Sequence, residues 1–317
     1  MPIWGVDSVT SATSERVWEA GHGQETLFEF VARKLGEPPY FWGRYLRRSG
    51  SSMLTESERD YIHSQRSPSG ETVRILPIYN DWIALDRRHA QQDLRAIRRQ
   101  PNASALAYQY GGDDCRSALE IARRLIPETE RSGVRIYYDL EGWDFPPEWL
   151  RGWWDVMRSS EFKGIGGLYG RGVERARGAS RSVRIQDVDP EEASHPLPYV
   201  PGGPPRYSRS GWSNIIPTAL DQQFDRWVLE PLAESGSAAP LPQICVWSNT
   251  PRSDCRRGPR IEQEFRGLGP AEAHVLVWQY QFACFERSLR EGEDPDTLRP
   301  AAFDMDLATE EGYGDMW

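Results

Sequence analysis

At 317 residues and 38% hydrophobic content, the chain is long enough to bury a full core, as one large domain or two modest ones. A formal net charge of -9 and a pI near 5.3 exclude a polyanionic partner such as nucleic acid, because that binding depends on basic side chains displacing condensed counterions. No run of 18 apolar residues offers a membrane helix, so no membrane span is expected.

Ile3-Trp4-Gly5-Val6-Asp7 reads as a short apolar strand ending in an acid. Ahead of it there is no charged n-region, apolar h-region or A-x-A site, so no secretory signal is expected. Localisation stays open between the cytoplasm and export by a non-standard route. Further β-rich runs follow at 41–46, 73–79, 134–140, 164–169, 243–247, 274–280 and 303–307, eight strands with the first. Helical periodicity falls between them near 24–35, 55–65, 84–99, 114–126, 146–159 and 218–234. Strand alternating with helix predicts an α/β protein with a parallel sheet. Eight repeats predict closure into a TIM-type (β/α)8 barrel, regular or irregular, over a single domain 1–317. A doubly wound open sheet is the structural competitor. Residues 171–217, rich in Gly, Pro, Ser and Arg, lack steady periodicity and are too long for an ordinary connection. An inserted loop or lid after the fifth strand, walling the cleft, is expected there.

The chemistry concentrates at Val134-Arg135-Ile136-Tyr137-Tyr138-Asp139-Leu140-Glu141. A strand repeats its side-chain direction every two residues, so Asp139 and Glu141 project from one face with Cα atoms about 6.5 Å apart. Two carboxyls at that separation can work on one substrate bond; a solvated acid pair at a loop start is the plainer alternative. Asp7 on the first strand and Asp304 and Asp306 on the last repeat the arrangement. In a parallel barrel the C-terminal ends of all strands meet on one face, so these distant acids converge. The 13 tryptophans and 13 tyrosines add flat faces that stack on sugar rings, although most belong to the core.

Other chemistries find little support. His22, His63, His89, His195 and His274 have no paired metal-ligand spacing, and there is no G-x-S-x-G elbow or Walker loop. Gly164-Ile165-Gly166-Gly167-Leu168-Tyr169-Gly170 places its last glycine one position late for a dinucleotide fingerprint. The acidic runs at 187–189 and 291–296 lack the glycine and closing Glu of an EF-hand loop. No metal and no cofactor is expected. Cys115, Cys245, Cys255 and Cys284 show no C-x-x-C spacing; Cys245 and Cys255 either bridge a loop or remain thiols.

Trp4-Gly5-Val6-Asp7-Ser8, Phe41-Trp42-Gly43-Arg44-Tyr45, Ile75-Leu76-Pro77-Ile78-Tyr79-Asn80, Tyr137-Tyr138-Asp139-Leu140-Glu141, Gly167-Leu168-Tyr169-Gly170, Trp278-Gln279-Tyr280 and Phe303-Asp304-Met305-Asp306 together resemble the bacterial glycoside hydrolase-like domain of unknown function. That domain is distantly similar to the glycoside hydrolase family 25 lysozymes. The resemblance spans nearly the whole barrel in order. It implies a TIM-type barrel with its site at the C-terminal face of the strands, lined by an Asp of the first strand, an Asp-x-Glu of the fourth and an Asp of the last. Those positions are Asp7, Asp139, Glu141 and Asp304. The stretches 82–110 and 171–217 are larger than a compact muramidase needs, which leaves the substrate open.

The expected mechanism makes Glu141 the general acid, its pKa raised in a pocket crowded by Tyr79, Tyr138 and Trp278. Asp139 stays ionised and either stabilises the oxocarbenium-like transition state or orients a substrate N-acetyl group. Asp7 and Asp304 bind sugar hydroxyls. Arg44, Tyr79, Asn80, Tyr169, Trp247, Trp278, Gln279, Tyr280 and Asp306 are the candidates for substrate binding, with Arg44 equally able to neutralise the acid cluster. Three functions follow: a glycosidase acting on peptidoglycan or another bacterial glycan, a catalytically silent glycan-binding barrel, and a structural or cargo component of a larger assembly.

Overall fold

The computed structural model describes residues 3–16, 22–85, 90–140, 145–171, 244–249, 273–284 and 303–317. The elements are β1 (Ile3–Asp7), a small hairpin of β2 (Glu15–Arg16) and β3 (Glu25–Thr26), α1 (Leu27–Leu35), β4 (Phe41–Leu46), α2 (Glu56–Ser64), β5 (Arg74–Tyr79), α3 (Ala90–Arg98) and α4 (Ala103–Leu125). After them come β6 (Tyr137–Asp139), α5 (Pro147–Arg158), β7 (Gly167–Arg171), β8 (Ile244–Asn249), β9 (Ala273–Cys284), β10 (Phe303–Ala308) and α6 (Glu310–Gly314).

The result is an α/β fold on a curled, mostly parallel, barrel-like sheet in the order β1-β10-β9-β8-β7-β6-β5-β4, with β4 returning to pair with β1. Strands β4 to β9 run parallel in sequence order. The last strand departs from the expected all-parallel pattern: β10 is antiparallel to both β1 and β9. Its start, not its end, therefore lies beside the end of β1. The insertion expected at 171–217 and the helix expected near 218–234 lie outside the described residues, apart from Arg171 at the end of β7.

Strand alternation sorts the core into two layers. Phe41, Tyr45, Leu76, Ile78, Tyr137, Tyr169, Cys245 and Val277 pack together on the inner face of the curl. Trp4, Val6, Trp42, Tyr79, Tyr138, Leu168 and Leu307 face the other way, against Phe28, Val31, Leu119, Trp149 and Trp153 from the helices. Helix α1 begins with a capping box, in which Thr26 accepts from the Glu29 amide while Glu29 reaches back to the Thr26 amide, and ends at Gly36 with φ of 81°. Helices α4 and α5 touch backbone to backbone. A Cβ at Gly111 would lie 1.7 Å from the Trp149 carbonyl oxygen, and one at Gly152 would lie 1.9 Å from that of Tyr108, so only glycine fits at either crossing.

The C-terminal segment covers the N-terminal end of the strands. Trp317 exchanges backbone hydrogen bonds with Ile75, and Asp315 is buried between Arg135, at 2.7 Å, and Lys163. Among the described residues no helix is long and apolar enough to cross a membrane.

Candidate active site at the strand ends

Register brings the acids together. Asp7 closes β1 and pairs directly with Asp304 at the start of β10. The Gln279 side-chain amide sits between them, donating to Asp7 Oδ2 at 2.8 Å and to Asp304 Oδ2 at 2.7 Å. Tyr169 completes the chain by donating its hydroxyl to Gln279 Oε1 at 2.8 Å. In the neighbouring strand Asp139 is the register partner of Tyr169 and accepts from Asn80 Nδ2 at 3.3 Å. Asp7, Asp139, Asn80 and Gln279 are all buried, so each carboxylate carries a desolvation cost that these amide donors partly offset. Carboxylates from the first, a middle and the last strand thus lie in one layer on the inner face, Asp139 joined to the Asp7–Gln279–Asp304 group through its register with Tyr169.

The remaining candidates divide. Asp306 pairs with Gly5 and Gln279, one layer deeper than Asp304, and is fully buried. Trp247 lies in register with Tyr169 in β8, and Trp278 and Tyr280 flank Gln279 in β9; for these three the backbone alone is described. Glu141 lies outside the described residues.

Two aromatic assignments are corrected. Tyr79 does not share a face with Asp139: it is in register with Tyr138, and both rings pack outward on Trp153, at 5.7 and 4.2 Å between centroids. Alternation requires this, since Tyr138 is the immediate neighbour of Asp139 and must point the opposite way. Neither tyrosine crowds the inner layer. Burial on the outer face, together with nearby Asp114, pushes both hydroxyls well above the usual tyrosine range.

Arg44 is fully buried and spent on Glu58 rather than on the strand-end acids. Its Nε lies 2.7 Å from Glu58 Oε1, Nη2 donates to Oε2 at 3.0 Å, and Nη1 donates to the Ser8 carbonyl at 2.5 Å. Glu58 in turn accepts from the Ala12 amide at 2.7 Å. The pair clamps the loop that follows Asp7. Arg44→Met strips a buried carboxylate of its partner, and we expect a loss of about 3–5 kcal/mol in chemical denaturation, partly recovered by adding Glu58→Gln. A single variant as stable as the wild type would contradict the clamp.

Sequence reading missed Asp114, a fully buried acid on α4. It accepts from Ile83 N at 2.7 Å, Tyr138 OH at 2.7 Å and Trp149 Nε1 at 3.0 Å, tying the loop beyond Asn80 to the outer face of β6. The available signal is an acid inside the apolar stripe of an amphipathic helix, between Gly111 and Ala118. Desolvation raises Asp114 to about 7, and the three donors only partly oppose it. The folded chain therefore retains a proton that the unfolded chain releases above its ordinary carboxylate pKa. This contribution to stability is fully present below about pH 4 and is lost as pH rises to about 7, on the order of 4 kcal/mol at the extreme. Asp114→Asn should flatten the wild-type fall in melting temperature between pH 4.5 and 7.5; an unchanged slope would exclude Asp114 as its source.

Among the described residues no group of three or more His, Cys, Asp or Glu is placed to hold a metal ion. Burial pushes the Cys245 thiol, on the inner face, up to about 11, which leaves it a poor nucleophile at neutral pH. A cleft of about 780 Å³, lined by His63, Arg74, Glu130 and Trp317 among others, lies at the N-terminal end of the strands, opposite the acids.

No family model matches the chain, and no curated protein does. Among solved structures it is similar to the crystal structure of an uncharacterized B. stearothermophilus protein. The two are 20% identical, and the match covers 99% of this chain and 100% of that one with a TM-score of 0.54. At that identity the likeness bears on the fold alone.

Proposed function

We propose that this chain is a glycoside hydrolase-like protein on an irregular TIM-type barrel, distantly similar to the family 25 lysozymes, that cleaves glycosidic bonds in peptidoglycan or another bacterial glycan with paired carboxylates. The observation that carries the reading is the Asp7–Gln279–Asp304 bridge, which draws acids 297 residues apart, by subtraction of their numbers, into one layer with Asp139. Pairing of β1 with both β4 and β10 supports the barrel.

In this mechanism Glu141, two residues beyond Asp139, gives its proton to the glycosidic oxygen as the bond to the anomeric carbon breaks. Asp139 holds the positive charge that develops, directly or through a substrate N-acetyl group. Water then adds at the anomeric carbon and returns a proton to Glu141. Gln279 keeps the flanking acids Asp7 and Asp304 at fixed spacing, where they accept hydrogen bonds from sugar hydroxyls.

Reducing-end release from a panel of purified cell walls and polysaccharides tests the reading. Turnover on at least one glycan is expected. Binding without turnover would instead support a silent glycan-binding barrel, and neither binding nor turnover would support a structural component of an assembly.

A further inference from the structure

Asn80 is 97% buried, from 3% exposure, and faces the inner layer, because its Nδ2 donates to Asp139 Oδ2 at 3.3 Å. The amide orientation follows from chemistry: an ionised carboxylate only accepts, so the NH2 group turns toward Asp139 and the carbonyl turns away from it. That carbonyl, Oδ1, is buried, and among the described residues no hydrogen-bond donor reaches it. A buried acceptor left without a donor costs about 1–3 kcal/mol, so such an atom beside a candidate catalytic acid calls for an occupant.

Resting on the glycan-hydrolase reading, we propose that Asn80 is a specificity-determining residue whose Oδ1 accepts a hydrogen bond from a neutral N–H or O–H of the bound sugar next to Asp139. The site thus prefers ligands carrying a donor at that position. Sugars supply two such donors, an acetamido N–H and a ring hydroxyl, and the protein offers the same acceptor to both. Exchanging Asn80 for apolar Leu removes the unsatisfied acceptor, a gain, and the Nδ2 donor to the buried Asp139 carboxylate, a loss of similar size, so the fold should change by no more than about 2 kcal/mol. Replacing a residue kept only for stability would lower the melting temperature without weakening sugar binding.

The test titrates the full chain with two β-1,4-linked tetramers that differ at C2, one of N-acetylglucosamine and one of glucose, by calorimetry. Wild type is expected to bind at least one of them. Asn80→Leu should bind it about 10-fold more weakly, the worth of one hydrogen bond, while still melting cooperatively as a folded chain. A larger loss for the N-acetylglucosamine tetramer assigns the donor to the amide, and a larger loss for the glucose tetramer assigns it to a hydroxyl. Equal affinity in variant and wild type overturns the inference while leaving the glycan reading intact. Failure of wild type to bind either tetramer or purified peptidoglycan overturns both. Should the variant not fold, the wild type decides. With Asn carbonyl carbons labelled, the Asn80 side-chain carbonyl resonance moves downfield on saturation with the bound tetramer, and a stationary resonance overturns the assignment.

Discussion

Glu141→Gln should lower turnover on the accepted glycan on the order of 10²–10⁴-fold while glycan binding persists. The substitution keeps the shape and the hydrogen-bonding capacity of the side chain but removes the transferable proton, so it acts on the transition state and not on the ground-state complex. Asp139→Asn should be comparably severe for a different reason. It removes a buried negative charge from beside the developing oxocarbenium, and it also replaces the acceptor of the Asn80 Nδ2 bond. The two variants should therefore differ in pH dependence: a proton donor governs the alkaline limb of the rate profile, and an ionised stabiliser governs the acid limb. Steady-state kinetics across pH would separate them, and a Glu141→Gln enzyme as fast as wild type would move the chemistry elsewhere.

Gly152→Val should cost more than about 3 kcal/mol and lower the melting temperature by roughly 5 °C or more. At Gly152 even the first added carbon would sit 1.9 Å from the Tyr108 carbonyl oxygen and 2.8 Å from the Gly112 nitrogen. Backbone atoms cannot rotate away as a side-chain tip can, so α4 and α5 must separate. That separation loosens Trp149 and Trp153 on the layer that backs Tyr138, and releases the Trp149 bond to Asp114. Gly111→Val should behave alike, since its added carbon meets the Trp149 backbone. Melting followed by circular dichroism checks both, and a variant that melts with the wild type would show that the helices do not meet at these glycines.

The strands were legible in the sequence because each is a compact β-branched or aromatic run bounded by turn residues, as in Ile75 to Tyr79. The direction of β10 was not legible, because periodicity records which face a residue occupies and says nothing of which way the strand runs. Asp304 reaches the acid layer only because β10 is reversed, which places its first residues against the last of β1. Helix α4 starts 11 residues before the expected 114, by subtraction from Ala103. Gly111-Gly112 reads locally as a breaker, whereas the fold uses those glycines for a close helix crossing. Asp139 was legible by strand parity, and Asp7 and Gln279 by their places near strand ends. The same parity, carried across the register to β5, excludes Tyr79 from the inner face and admits Asn80. Glu58 and Asp114 escaped notice because their partners, Arg44 and Tyr138, come from distant elements, and nothing local announces a buried ion pair or a buried three-donor acid.

The most direct measurement is the rate at which new reducing ends appear when the full chain and its Glu141→Gln variant are incubated side by side with purified peptidoglycan and a polysaccharide panel. A hydrolase whose acid is Glu141 releases ends from at least one glycan in proportion to protein and time, and the variant retains on the order of 1% of that rate or less while still binding. Equal release by the two proteins, or binding by both with no release from any glycan, would contradict it.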